Sequence, residues 1–178
     1  ANVRPRGTLP FMNLAPQPAM PKAKHRLEPG DRFPDFILAD QTGMVRAFYQ
    51  RVRGMGMAVF IDSDAALRDS LRARADQYRA ALLECLAIDA ASPNADPEPC
   101  ILQDEAGRIR QLVREMSGHP VAPGAARPLA ILLDRNQRIL AISDQGDLAD
   151  WALTRWSQEP SITASDVLRH AAPVLTVP

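Results

Sequence analysis

Three short apolar runs constrain this chain more than any other feature. They are Met57-Ala58-Val59-Phe60-Ile61, Leu82-Leu83-Glu84-Cys85-Leu86-Ala87-Ile88 and Pro128-Leu129-Ala130-Ile131-Leu132-Leu133. Each is strand length, and each is apolar almost throughout rather than on alternate residues, as expected of a strand covered on both faces. The covers are found between and after them. Ala66, Leu67, Leu71, Ala75 and Tyr78 recur at helical spacing, with Asp62 or Ser63 placed to cap the start. Ile109, Leu112, Val113 and Met116 mark a second amphipathic helix, which stops at Gly118 and Pro120. Leu148, Trp151, Ala152, Leu153 and Trp156 mark a last one. Central strands alternating with helices predict an α/β sandwich around a mixed sheet.

Shorter elements fill in the order. Phe33 to Ala39 alternates as an edge strand, with Pro34 near its start. The turn Asp40-Gln41-Thr42-Gly43 leads into Val45-Arg46-Ala47-Phe48, which pairs back as a hairpin, and Tyr49 to Arg53 suits one helical turn. Residues 91–99 are a loop of breakers, and Cys100-Ile101-Leu102 is a short strand. Asp134-Arg135-Asn136-Gln137 turns the 128–133 strand into a hairpin with Arg138 to Ile142. No internal repeat is present.

Length and apolar content, 178 residues at 46%, fit one domain with appendages. Residues 27–158 carry the strand–helix pattern. Residues 159–178 read as an exit segment with a short helix from Ser165 to Ala171. Residues 1–26 hold Arg4, Arg6, Lys22, Lys24 and Arg26 with no acid, and Pro5, Pro10, Pro16, Pro18 and Pro21. That composition gives an extended, basic, proline-rich arm. The rest of the chain is left with 16 basic against 21 acidic residues. The arm therefore either folds back on its own domain or reaches an acidic partner.

No apolar stretch is long enough to span a membrane or to form a signal-peptide core. Two cysteines do not make a disulfide framework, and the expected location is cytoplasmic. His25, His119 and His170 lack the spacing for shared ligation, so no metal and no cofactor is expected. Phe11 is the arm's single aromatic residue, which disfavours nucleic acid as the partner.

Several stretches, in order, resemble the peroxiredoxin branch of the thioredoxin superfamily, the alkyl hydroperoxide reductase/thiol-specific antioxidant type. They are Pro29-Gly30-Asp31-Arg32-Phe33-Pro34-Asp35-Phe36, Asp40-Gln41-Thr42-Gly43, the strand to Asp62, Leu102-Gln103-Asp104-Glu105-Ala106-Gly107, and Arg127-Pro128-Leu129-Ala130-Ile131-Leu132-Leu133-Asp134. The resemblance spans roughly residues 27–157. It implies a thioredoxin-like, peroxiredoxin-type mixed central sheet flanked by helices. It also implies a catalytic run of proline, threonine or serine, and cysteine after the first central strand, with an arginine from a later strand beside the thiolate. Arg127 matches that arginine, and Pro128 stands where such folds often carry a cis proline.

The run after Asp62 is Ser63-Asp64-Ala65-Ala66 and contains neither the proline nor the cysteine. Without the nucleophile the covalent step of peroxide reduction has no agent. Asp62, Ser63, Asp64, Arg127 and Pro128 are thus expected to form a relic pocket in which Asp62 or Asp64 pairs with Arg127. The alternative reading is a thiol-dependent peroxidase or oxidoreductase using Cys100. Against it, Asp96 and Glu98 would raise that thiol's pKa, and Cys85 falls mid-strand as a core residue. The leading expectation is a redox-inactive module that binds a protein partner or an attached domain, with Arg4, Arg6, Phe11, Lys22, Lys24 and Arg26 as the contact arm. A third reading comes from residues 171–178, which resemble the lead-in to bacterial iron(II)/2-oxoglutarate oxygenases preceded by a redoxin-like domain. That reading makes the chain an accessory domain of such an enzyme.

Overall fold

The computed structural model describes residues 26–51, 55–90, 99–121 and 127–159. A seven-stranded mixed sheet crosses the molecule in the order β2-β1-β5-β4-β3-β6-β7. The strands are β1 (Ile37–Asp40), β2 (Val45–Ala47), β3 (Gly56–Ile61), β4 (Leu83–Asp89), β5 (Cys100–Gln103), β6 (Leu129–Leu133) and β7 (Ile139–Ser143). The helices are α1 (Ala65–Ala73), α2 (Ala75–Ala80), α3 (Arg108–Ser117) and α4 (Leu148–Ser157). β3, β4 and β5 run parallel, whereas β6 is antiparallel to β3 and β1 to β5. The α/β mixed-sheet architecture expected from the apolar runs is the one observed.

The strand period of two sorts the core into two layers. On β3, Met57, Val59 and Ile61 face a cluster that includes Leu86, Ile88, Ile131 and the α3 residues Ile109 and Val113. Ala58 and Phe60 face the other way, toward Leu67, Leu71, Tyr78, Ala149 and Ala152 of α1, α2 and α4. Both faces of β3 are therefore buried, which is why its sequence does not alternate. The face toward α4 is tight. A Cβ added at Gly56 would lie 2.2 Å from the Trp156 ring, so only glycine lets this ring close on the sheet.

Three expectations need correction. The first strand begins at Ile37 rather than Phe33, and it is not an edge, because β2 covers its outer side. Phe33 and Phe36 leave the sheet to stack with Phe48, at centroid distances of 5.1 and 5.0 Å. The helix after β3 is two helices, broken at Arg74 (φ −106°, ψ 8°). The Arg74 guanidinium turns back onto the Ser70 carbonyl at 3.3 Å and out to Asp147 at 2.8 Å. Finally, the cap of α1 is neither Asp62 nor Ser63 but Asp64, whose Oδ1 accepts the Leu67 amide at 2.8 Å. The two residues before it are engaged elsewhere. The single helical turn expected at 49–53 is a 3-10 turn at Phe48–Gln50, and residues 52–54 lie outside the described residues.

Candidate functional site

The C-terminal ends of the three parallel strands meet at one edge of the sheet, and each brings an aspartate there. Asp62 follows β3, Asp89 ends β4 and Asp104 follows β5. Their backbones are tied in sequence: the Asp62 amide donates to Ile88 O at 3.2 Å, and the Asp104 amide to Asp89 O at 2.8 Å. Asp62 has φ +55°, a left-handed conformation uncommon for a residue with a side chain. The turn aims its carboxylate at α3, away from α1.

Two arginines one helical turn apart on α3 receive it. Asp62 Oδ1 accepts from Arg110 Nη1 at 2.5 Å, and Oδ2 from Arg114 Nε at 2.7 Å. Arg110 also donates its Nη2 to Asp104 O at 3.2 Å, and its own amide binds Asp104 Oδ2 at 2.8 Å. Arg114, 3% exposed, reaches onward with Nη2 to the carbonyl of Arg127. On the α1 side, Ser63 is equally committed. Its amide donates to Asp89 Oδ1 at 2.7 Å, its hydroxyl donates to Asp89 Oδ2, and Arg68 Nη2 closes on that oxygen at 3.2 Å. Burial pushes the Asp89 carboxyl above the ordinary range, opposed by the Ser63 hydrogen bonds and Arg68.

Against the expected relic pocket, the structure brings Asp62 and Ser63 into one network but leaves the Arg127 side chain out of it. Arg127 is exposed, contributes only its carbonyl, and makes no ion pair among the described residues. The guanidinium that neutralises Asp62 comes instead from α3. Pro128 sits apart from this network, lining with Asp64, Leu67 and Asp147 a groove of about 350 Å³ between the starts of α1 and α4. Arg68, Arg110, Arg114, Asp89 and Asp104 were missed from sequence. The signal was present: an aspartate closes each of three successive strands, and Arg110 and Arg114 are spaced to share one helix face.

The arrangement can hold charge but offers no soft nucleophile. Both cysteines are half-buried, and neither is in a disulfide. Cys85 pairs in register with Ala58, and Cys100 with Leu86. That puts Cys85 four residues back along the sheet from Asp62, about 13 Å at strand rise. Cys100 shares the sheet face of Leu86, and Cys85 is on the opposite one, so the two side chains cannot meet in a disulfide. Burial raises the Cys100 thiol, with Arg51 opposing. His119 binds the Ser117 carbonyl through Nδ1 at 2.9 Å. His25, His170, Arg4, Arg6, Phe11, Lys22 and Lys24 lie outside the described residues. Arg26 is exposed and packs its guanidinium over Gly118, beside the hydrogen bond that the Leu27 amide donates to Met116 O at 2.7 Å. Among the described residues no group of three or more His, Cys, Asp or Glu is placed to hold a metal ion, and no helix is long and apolar enough to cross a membrane.

Solved structures share this arrangement of strands and helices. Peroxidoxin BcpB from Mycobacterium tuberculosis superposes with a TM-score of 0.60 at 17% identity, covering 76% of this chain and 100% of that one. Peroxiredoxin 5 from Alvinella pompejana gives 0.56 at 17% identity, over 75% and 99%. This protein has a peroxiredoxin-like thioredoxin fold. A putative thiol:disulfide interchange protein DsbE from Chlorobium tepidum shares the fold as well, at TM-score 0.53 and 19% identity over 74% and 96%. The sequence matches no protein-family model and no curated protein. Within this peroxiredoxin-like fold, the junction after β3 is the place where the sequence resemblance expects a cysteine, and Ser63, Asp64 and Ala65 occupy it.

Proposed function

We propose that the chain is a redox-inactive, peroxiredoxin-like module that acts by binding a protein partner or an attached domain. The observation that carries this reading is the engagement of the β3–α1 junction. Ser63 is bound through both its amide and hydroxyl to Asp89, and Asp62 is bridged to Arg110 and Arg114. Peroxide reduction needs a group that attacks one peroxide oxygen, expels the other as water or alcohol, and is itself left oxidised in a reducible form. A serine hydroxyl does not do this, and the Cys85 thiol, about 13 Å back along the strands, does not reach. Neighbours named peroxidoxin, peroxiredoxin and thiol:disulfide interchange protein favour thiol chemistry by analogy of fold alone, a weaker argument than the residues in the site.

The partner-binding element in this proposal is the arm, residues 1–26, ahead of a domain at 27–158. Its five cations without an acid supply charge, and its prolines lower the entropy lost on docking. The chemistry is tested by incubating the protein with hydrogen peroxide and a thiol regenerating system, beside Cys85→Ser and Cys100→Ser. The expected result is no turnover above the protein-free control in any of the three. Turnover abolished by Cys100→Ser would establish the thiol peroxidase reading instead. The arm is tested by comparing partner recovery by the full chain and by a chain beginning at Leu27, equal recovery removing it from the account.

A further inference from the structure

The last turn of α4 delivers the chain to the lip of an apolar groove on the opposite side of the molecule from the charged junction. The groove encloses about 580 Å³ and is lined by Leu82, Leu140, Leu153 and Trp156, with Asp134 and Arg135 on one rim and Glu159 on the other. Leu82 is 55% exposed and has φ +52°. A large apolar side chain thus stands in solvent on a backbone conformation that favours glycine. The Trp156 indole nitrogen is already satisfied by Ala81 O at 2.9 Å, so what the ring offers the groove is hydrocarbon surface. Glu159 is where the described chain stops, its amide bonded to Trp156 O at 3.0 Å, and Pro160 follows, which cannot extend the helix.

We propose that residues 160–178 of the same chain cover this groove, with Val167, Leu168 and Ala171 laid over Leu82 and Trp156. In the sequence those three residues recur at helical spacing, between Ser165 and Pro173, residue types that favour a helix start and stop. Asp166 and Arg169 flank that face, and the groove's rim offers Arg135 and Asp134 as partners of opposite sign. Residues 160–164 span up to about 17 Å when extended, so the segment has the slack to fold back. Tethering at the groove's lip gives it a millimolar effective concentration, which favours it over a second copy at ordinary protein concentrations.

The test uses the full chain. In a Trp151→Phe background, Trp156 is the single emitter, since the chain has two tryptophans. Val167→Asp with Leu168→Asp is expected to shift its emission to the red and to raise acrylamide quenching about twofold, with far-ultraviolet dichroism of the core unchanged. Unchanged emission and quenching overturn the proposal. In a second arm, Leu82→Cys and Leu168→Cys are combined in a chain carrying Cys85→Ser and Cys100→Ser, and oxidised at low concentration. A cross-linked monomer is the expected product. A cross-linked dimer assigns the groove to a second copy, and no cross-link leaves it without this occupant; either result overturns the proposal.

Discussion

Asp40 in the β1–β2 hairpin and Asp89 at the strand-end junction are both buried carboxylates facing an arginine, yet their proton affinities move in opposite directions. Burial alone would raise Asp40. Four donors reverse it, from Thr42 Oγ1 at 2.6 Å, Arg51 at 3.1 Å and the Met44 and Thr42 amides at 3.0 Å each, and the group falls to about 2. Asp89 receives Ser63 twice and Arg68 once, with the Asp62 charge nearby, and there burial prevails. What separates them is the number of donors per carboxylate set against the loss of water, not the presence of a guanidinium. The sources also differ. Three of the Asp40 bonds come from residues within four positions, so a local turn assembles them. Asp89 depends on residues 21 and 26 positions away, so its network exists only once the sheet has formed.

The harshest test of this contrast removes one arginine from each region. Arg114→Ala would leave Asp62 half-paired and the Arg127 carbonyl without its donor, in a site that is largely buried. The expected loss is about 3–5 kcal/mol in urea unfolding. Arg51→Ala is expected to be milder, about 2 kcal/mol, because Asp40 keeps its three turn-derived donors. Equal losses at the two sites would break the distinction between local and assembled networks.

The pH dependence should separate the regions by sign. Asp40 is lowered, so its contribution is present above the ordinary value of 3.8 and is lost as pH falls toward about 2. Asp89 is raised, so the folded chain keeps that proton to higher pH than the unfolded chain does. Its contribution is therefore fullest below the ordinary carboxylate range and declines as pH rises through the folded value. Unfolding midpoints of Asp40→Asn and Asp89→Asn relative to the parent, followed across the acid range, should slope in opposite directions. Parallel slopes would mean that both carboxylates respond to burial alike.

The smallest effect is expected at Arg127. The sequence alone casts it as the counter-ion of Asp62 or Asp64, and so as a costly residue to lose. In the structure its side chain is exposed, and Arg127→Ala should change stability by no more than about 0.5 kcal/mol. A loss comparable to that of Arg114→Ala would restore the arginine to the site.

That reversal marks where the sequence stopped being readable. The central strands were legible because being buried on both faces writes itself as an unbroken apolar run, as in β3 and β6. α3 and α4 were legible from apolar spacing, and Gly118, at φ +75°, ends α3 as expected. The break at Arg74 was not legible from apolar spacing, and the Asp147 carboxylate that its guanidinium meets lies 73 residues away. The junction was half legible. Asp62 and Ser63 stood out beside a strand end, but which arginine meets Asp62 is set by the docking of α3, and no local pattern near residue 62 encodes that.

The clasp on Ser63 has a consequence for anyone wishing to give this chain a peroxidase's chemistry. Swapping in sulfur at position 63 would place a thiol on a buried carboxylate, the neighbour that most discourages a thiolate. The same swap would take from Asp89 its hydroxyl donor. Reactivity would have to be installed from beneath, by replacing Asp89 and repacking Arg68 first. In this scaffold the absent atom is one substitution away, but the environment that would make it useful is several.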